Sequence, residues 1–292
     1  MFLTDVMAET AARSSELLSP EASDAVGRFV RSRRMPGGLY RGRGSAADPY
    51  YTLFGFLCLD ALGYPVEAEE ASRALRKFGD GDDFDLPHLA SLWRCRGLTG
   101  DAIPPESADA ASARLNRFRT PDGGFATVCG EERGSAYGAF MALLAMEASG
   151  ITGCGAALIR RTIEELRSGD GGVANGPGRT IGVTTATAAA VMVSLATGAE
   201  PSSDWLSWLL ARQRSDGGYE GTPGALGADL LSTATALLAL RAAGVRPPAE
   251  KTISFIESLW DGEGGFLGHG ADTEPDCEYT YYGLLGLGAC AP

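Results

Sequence analysis

Gln213-Arg214-Ser215-Asp216-Gly217-Gly218-Tyr219 is the stretch that decides the architecture, because its core recurs along the chain. An amphipathic segment runs into it, Asp204-Trp205-Leu206-Ser207-Trp208-Leu209-Leu210-Ala211-Arg212-Gln213. A polar, Gly-rich loop follows. Then comes a far more apolar run, Ser232-Thr233-Ala234-Thr235-Ala236-Leu237-Leu238-Ala239-Leu240, with Gly244 placed as the left-handed residue that ends a helix. The same Gly-Gly-apolar signature stands at Gly37-Gly38-Leu39, Gly123-Gly124-Phe125, Gly171-Gly172-Val173 and Gly264-Gly265-Phe266. The second glycines of the five signatures are 86, 48, 46 and 47 residues apart, and Gly79-Asp80-Gly81 falls midway in the doubled gap. Six units of about 46 residues follow, the length of a two-helix repeat.

In each unit one helix carries a polar face, while the other is apolar around most of its circumference. A helix apolar on all sides must be buried on all sides. Six such helices form an inner ring and the six amphipathic ones enclose it. This is an all-α (α/α)6 toroid of six helix-pair repeats. It is read as one domain over residues 1–292, with repeats from about residue 20 and residues 1–19 as an N-terminal extension. The inner helices end at Gly63, Gly97, Gly150, Gly198 and Gly244. Small residues at Ala186 to Ala190 and Thr233 to Ala236 imply that the ring leaves an apolar cavity at its centre.

Composition narrows the function. The 40 glycines among 292 residues punctuate the repeats rather than signal disorder. A net charge of −12 argues against nucleic acid or an anionic membrane surface as partner. No apolar run is long enough to span a bilayer, and the first residues lack the pattern of a signal peptide. The six cysteines (Cys58, Cys95, Cys129, Cys154, Cys277, Cys290) show no framework spacing, so free thiols in a reducing cytoplasm are expected.

The Gln213–Tyr219 block, together with Pro121-Asp122-Gly123-Gly124-Phe125 and Gly130-Glu131-Glu132-Arg133-Gly134-Ser135-Ala136-Tyr137, resembles the repeat shared by terpenoid cyclases and protein prenyltransferase β subunits. The prenyltransferase branch implies zinc held by an Asp-x-Cys pair and a His. Here Asp229 is kept, but Leu231 holds the Cys place and Tyr279 the His place, too few ligands for zinc. The cyclase branch implies protonation of an alkene or epoxide by the middle Asp of an Asp-x-Asp-Asp motif, which Asp80-Gly81-Asp82-Asp83 matches. On that resemblance Asp82 is the general acid, tuned by Asp80 and Asp83, since crowded and shielded carboxyls stay protonated. Counting back 15 residues from the terminal glycines gives Asp48, Asp82 and Asp229, with Asp276 in a similar place, so these carboxylates are expected at one mouth of the ring. Helix capping is the competing explanation for the same acids.

Tyr50, Tyr51, Phe54, Trp93, Tyr137, Phe140, Tyr279, Tyr281 and Tyr282 lie near the starts of inner helices, where aromatic faces suit cationic intermediates or a prenyl chain, or simply a packed core. Asp48, Tyr51, Trp93, Arg133, Tyr137, Asp229, Asp276 and Tyr279 are the expected substrate-binding set. Arg41, Arg43, Arg133 and Arg179 fall in loops at the same mouth. The expected function is that of a class II terpenoid cyclase-like enzyme of isoprenoid metabolism acting on an apolar small molecule. No cofactor is expected, and Mg²⁺ would enter only with a diphosphate substrate. A homodimer or partner chain closing the mouth is also expected. The alternatives are a non-catalytic prenyl- or lipid-binding protein and a zinc-independent prenyltransferase-like transferase. Toroidal glycoside hydrolases with paired carboxylates are a distant further class.

Overall fold

The structure, a computed structural model, describes residues 1–153 and 155–292; Cys154, one of the six cysteines expected to be free, lies outside them. A first helix α1 (Leu3–Ala12) precedes six pairs. These are α2 (Pro20–Ser32) with α3 (Pro49–Ala61), α4 (Ala68–Leu75) with α5 (Leu86–Leu98), and α6 (Ala108–Asn116) with α7 (Ala136–Ser149). The other three are α8 (Ala156–Glu164) with α9 (Thr184–Ala196), α10 (Ser203–Leu210) with α11 (Leu230–Ala242), and α12 (Glu250–Glu257) with α13 (Cys277–Cys290). Helices α3, α5, α7, α9, α11 and α13 pack each on the next, and α13 packs back on α3, closing the ring. The fold is an all-α toroid. Its only described strands, β1 (Tyr219–Glu220) and β2 (Ala228–Asp229), make one short antiparallel pair beside α11.

Caps set where the inner helices begin. Asp48, Asp85, Ser135, Asp229 and Asp276 each accept the backbone N–H three residues ahead, at 2.7–2.9 Å. Each such bond satisfies a donor that the helix itself leaves free. At the other end, Gly63, Gly100, Gly150, Gly198 and Gly244 take left-handed φ values of 67–77°. In the second unit this differs from the expectation: Gly97 lies inside α5, and Gly100 makes the turn. The correction carries to the other end of the helix. Counting back 15 residues from Gly100 gives Asp85, not Asp82, and Asp85 is the observed cap.

The Gly-Gly loops are fastened to the inner helices by a repeated threonine. The hydroxyls of Thr52, Thr187, Thr233 and Thr280 accept the N–H of Tyr40, Val173, Tyr219 and Phe266 at 2.9–3.3 Å. Each hydroxyl donates in turn to the carbonyl of its own helix's N-cap residue. The aspartates of the loops are likewise structural. Asp122 accepts the N–H groups of Gly124 and Gly134, and Asp170 those of Gly172 and Gly182.

Residues 1–19, expected as an extension, contain α1, which crosses the end of the ring where the inner helices finish. Helix α1 packs against α3, α7, α11 and α13 and buries Leu3, Met7 and Ala11. Glu147, late on α7, accepts the N–H of Leu3 at 2.6 Å and both the N–H and the hydroxyl of Thr4 at 2.9 Å. Those bonds cap the first turn of α1 with a carboxylate, the charge its positive dipole end favours. At Gly288 the backbones of α13 and α1 approach so closely that a Cβ would strike the Thr10 carbonyl.

Candidate active-site cavity

A cavity of about 420 Å³ occupies the middle of the ring. Its lining follows the helical repeat. Tyr50, Tyr137, Thr185, Leu231 and Glu278 form the layer nearest the helix starts, each two residues past its N-cap position. One to two turns deeper come Phe140, Ala188, Ala189, Thr235 and Tyr282, and then Met192, Leu238 and Leu285. Met7 of α1 meets the cavity from the closed end. The walls are unequal: α3, α7 and α13 supply aromatic rings, whereas α9 supplies mainly small residues. Four of the expected aromatics, Tyr50, Tyr137, Phe140 and Tyr282, line the cavity. So do Ala186, Ala188, Ala189 and Thr235 from the small-residue runs.

Glu278 is the one carboxylate among the lining residues, which include no Lys, Arg or His. The Tyr50 hydroxyl donates to its Oε1 at 2.7 Å. Burial in this apolar wall pushes the carboxyl up to about 7, and nearby Asp276 pushes in the same direction. The Tyr50 hydrogen bond and Arg43 oppose the rise without cancelling it. Glu278 therefore titrates close to neutrality, inside a cavity lined by ring faces. Sequence reasoning missed it. The signal was its spacing two residues beyond the N-cap Asp276, the register that also selects Tyr50 and Tyr137.

The Asp-x-Asp-Asp motif lies elsewhere. Asp82 is outside the ring, with its side chain 65 % exposed and bound to Arg114 Nε at 2.6 Å. That hydrogen bond, with Arg117 nearby, holds its carboxyl below the usual carboxylate range. It is an anion at the surface, the opposite of a shielded proton donor. Asp80 pairs with Arg114 at 3.3 Å, and Asp83 is exposed in the same turn. Trp93, 1 % exposed, faces a separate depression of about 290 Å³ beside α6, which it shares with Asp80, Arg96 and Arg114. None of these four lines the central cavity.

Asp48, Asp229 and Asp276 do stand at inner-helix starts, as expected, but their carboxylates are spent on caps. Asp276, 1 % exposed, also accepts Arg43 Nε at 2.8 Å, while Arg43 grips Asp272 with two bonds of 2.6 and 2.9 Å. Arg43 in turn stacks over the Tyr279 ring at 5.3 Å. Tyr51 lies beside Tyr50 edge-on at 5.5 Å. Tyr51 and Tyr279 thus belong to the rim rather than to the lining. Tyr137, 42 % exposed, is the expected substrate-binding residue that does line the cavity, while Arg133 turns away to pair with Glu165 at 3.2 Å. Among the described residues no three His, Cys, Asp or Glu side chains converge as metal ligands would.

The resemblance read from the repeats is supported. Residues 179–290 match the prenyltransferase alpha-alpha toroid domain. No curated protein sequence shows significant similarity to the chain. Among solved structures it is similar to the type II terpene cyclase MstE from Scytonema in its apo form, with a TM-score of 0.61 and 12 % identity over 93 % of this chain and 97 % of that one. A variant of MstE bound to its substrate geranylgeranyl dihydroxybenzoate gives 0.59 at 11 % identity, covering 97 % of each chain. Another, bound to the product merosterolic acid A, gives 0.58 at 12 %, covering 99 % of this chain and 98 % of that one. At such identity the likeness is one of fold.

Proposed function

We propose that this protein is an isoprenoid-metabolism enzyme that cyclises or isomerises an apolar polyene by protonation, with Glu278 rather than Asp82 as the general acid. The observation that carries the reading is the one carboxyl of the cavity lining, hydrogen-bonded to Tyr50 and raised by burial toward neutrality, set among aromatic and aliphatic walls. The neutral acid gives its proton to a substrate alkene carbon, leaving a carbocation and the Glu278 carboxylate. Tyr50, already donating to Oε1, stabilises the new negative charge, because a hydrogen bond to an ionised acceptor is stronger than one to a neutral acceptor. The ring faces of Tyr137, Phe140 and Tyr282 offer the cation a quadrupole contact without a nucleophile beyond the phenol oxygens. Loss of a proton from a neighbouring carbon to Glu278 restores the acid, so the cycle balances without a cofactor. The cavity wall has no cationic side chain among the described residues, which favours a substrate with an uncharged head over a diphosphate.

Turnover of neutral farnesyl and geranylgeranyl substrates and their epoxides, followed by product analysis, tests this. Glu278→Gln is expected to lose a general-acid contribution of about 10²–10⁴-fold while still binding substrate. Asp82→Asn is expected to retain wild-type turnover. The opposite pattern would overturn the assignment. A carrier reading rests on the same neutral carboxyl, which can donate a hydrogen bond to a lipid head-group oxygen. Stoichiometric binding by wild type with no turnover of any of these substrates would favour it.

A further inference from the structure

We infer that Met7, carried into the ring by α1, is the stop that sets how long an apolar chain the cavity accepts. The inference rests on the proposed apolar-ligand reading of the cavity. The six inner helices define its width, since their lining side chains project inward at successive turns. The layer of Glu278 and the layer of Leu285 are seven residues apart on α13, or about 10 Å along the helix. Beyond Leu285 the space ends because α1 lies across the ring, and Met7 is the α1 side chain that lines the cavity.

The floor is held firmly. Glu147 fixes the first turn of α1 through Leu3 and Thr4, and the close approach of Gly288 to Thr10 seats its last turn against α13. Met7 sits between these two anchors, buried to 8 % exposure. An unbranched, polarisable side chain at such a point fills the end of an irregular space without adding a polar group. Its length therefore becomes the depth limit of the site. A substrate whose head reaches Glu278 meets the Met7 thioether with its tail.

Binding of neutral, unbranched primary alcohols of increasing length, measured by calorimetry on the full chain, tests the inference independently of catalysis. For wild type, affinity is expected to rise about fourfold per added methylene until the tail meets the floor, and then to stop rising. Met7→Ala removes three heavy atoms, so the stop is expected to move about three carbons longer. Met7→Phe is expected to move it shorter, and the nearly volume-conserving Met7→Leu to leave it in place. Melting curves of the three variants establish that each is folded. An identical stopping length in wild type, Met7→Ala and Met7→Phe would overturn the inference. Failure of every alcohol to bind wild type would overturn the apolar-ligand reading as well. Because Glu278→Gln is expected to show the wild-type stopping length, failure of the acid assignment alone leaves a different signature.

Discussion

Replacing Glu278 with Gln should change the pH dependence of stability in a calculable way. In the folded chain burial raises the carboxyl from 4.5 to about 7. In the unfolded chain it titrates near 4.5. Between these two values the folded state holds more protons than the unfolded one, so this group makes stability fall as pH rises through that window. Below about 4.5 the penalty is absent, and above about 7 it is complete. The shift of roughly 2.5 pH units corresponds to about 3 kcal/mol. Gln has nearly the shape of the neutral acid and its carbonyl can still accept from Tyr50, but it does not titrate. Relative to wild type, Glu278→Gln should therefore gain about 3 kcal/mol between pH 4 and pH 8. For 292 residues the unfolding entropy is about 0.6 kcal/mol/K, so the gain reads as about 5 °C in melting temperature. Thermal melts of both proteins across that range measure it, and subtraction cancels the carboxylates that do not interact with Glu278. Tyr50→Phe provides a second check. It removes a hydrogen bond that lowers the Glu278 value, and should push the midpoint of the pH effect upward. A melting difference that stays constant from pH 4 to pH 8 would refute the buried, protonated Glu278 on which the functional reading depends.

Two further outcomes test the architecture. Asp85→Ala should destabilise the protein by about 0.5–2 kcal/mol through loss of the α5 cap, whereas Asp82→Ala, which loses only a surface pair with Arg114, should lower the denaturant midpoint less. Glu147→Gln should cost about 1–3 kcal/mol in urea unfolding. It weakens the acceptor of three bonds from α1, and amide-exchange protection in residues 3–12 should fall more than in α7.

Periodicity made the toroid legible, because a helix apolar on all sides and repeated at even spacing has few ways to be buried. The site was less legible, and the second unit shows why. Gly97 and Gly100 stand three residues apart, nearly one turn, and either can end a helix on paper; only the backbone φ distinguishes them. The wrong choice carried the register from Asp85 to Asp82 and reinforced a motif match that the surface ion pairs of Asp82 explain as well. The caps Asp48, Asp229 and Asp276 were correctly placed at helix starts, yet a residue at that position spends its carboxylate on its own backbone. The cavity-lining position is two residues further on. Glu278 was hidden there by being a single acid beside Asp276, with no motif around it. Its burial depends on the closed ring, and its hydrogen-bond donor Tyr50 is 228 residues away in sequence.

That separation identifies where the circle is sewn shut. The α3–α13 junction joins the first and last inner helices, and polar ties concentrate along it. Arg43 binds Asp272 and Asp276, Arg33 donates to the Pro275 carbonyl, the Cys58 thiol donates to the Cys277 carbonyl, and Tyr50 meets Glu278. The other five junctions are made between successive repeats, whereas this one joins the first repeat to the last across 219 to 242 residues and carries a larger loop-closure cost than they do. Desolvation of Glu278 depends on that clasp. An arc of repeats that has not yet met its own beginning leaves the carboxyl in water, ionised and unable to donate a proton at neutral pH. On the proposed reading, chemical competence is a readout of circular completion.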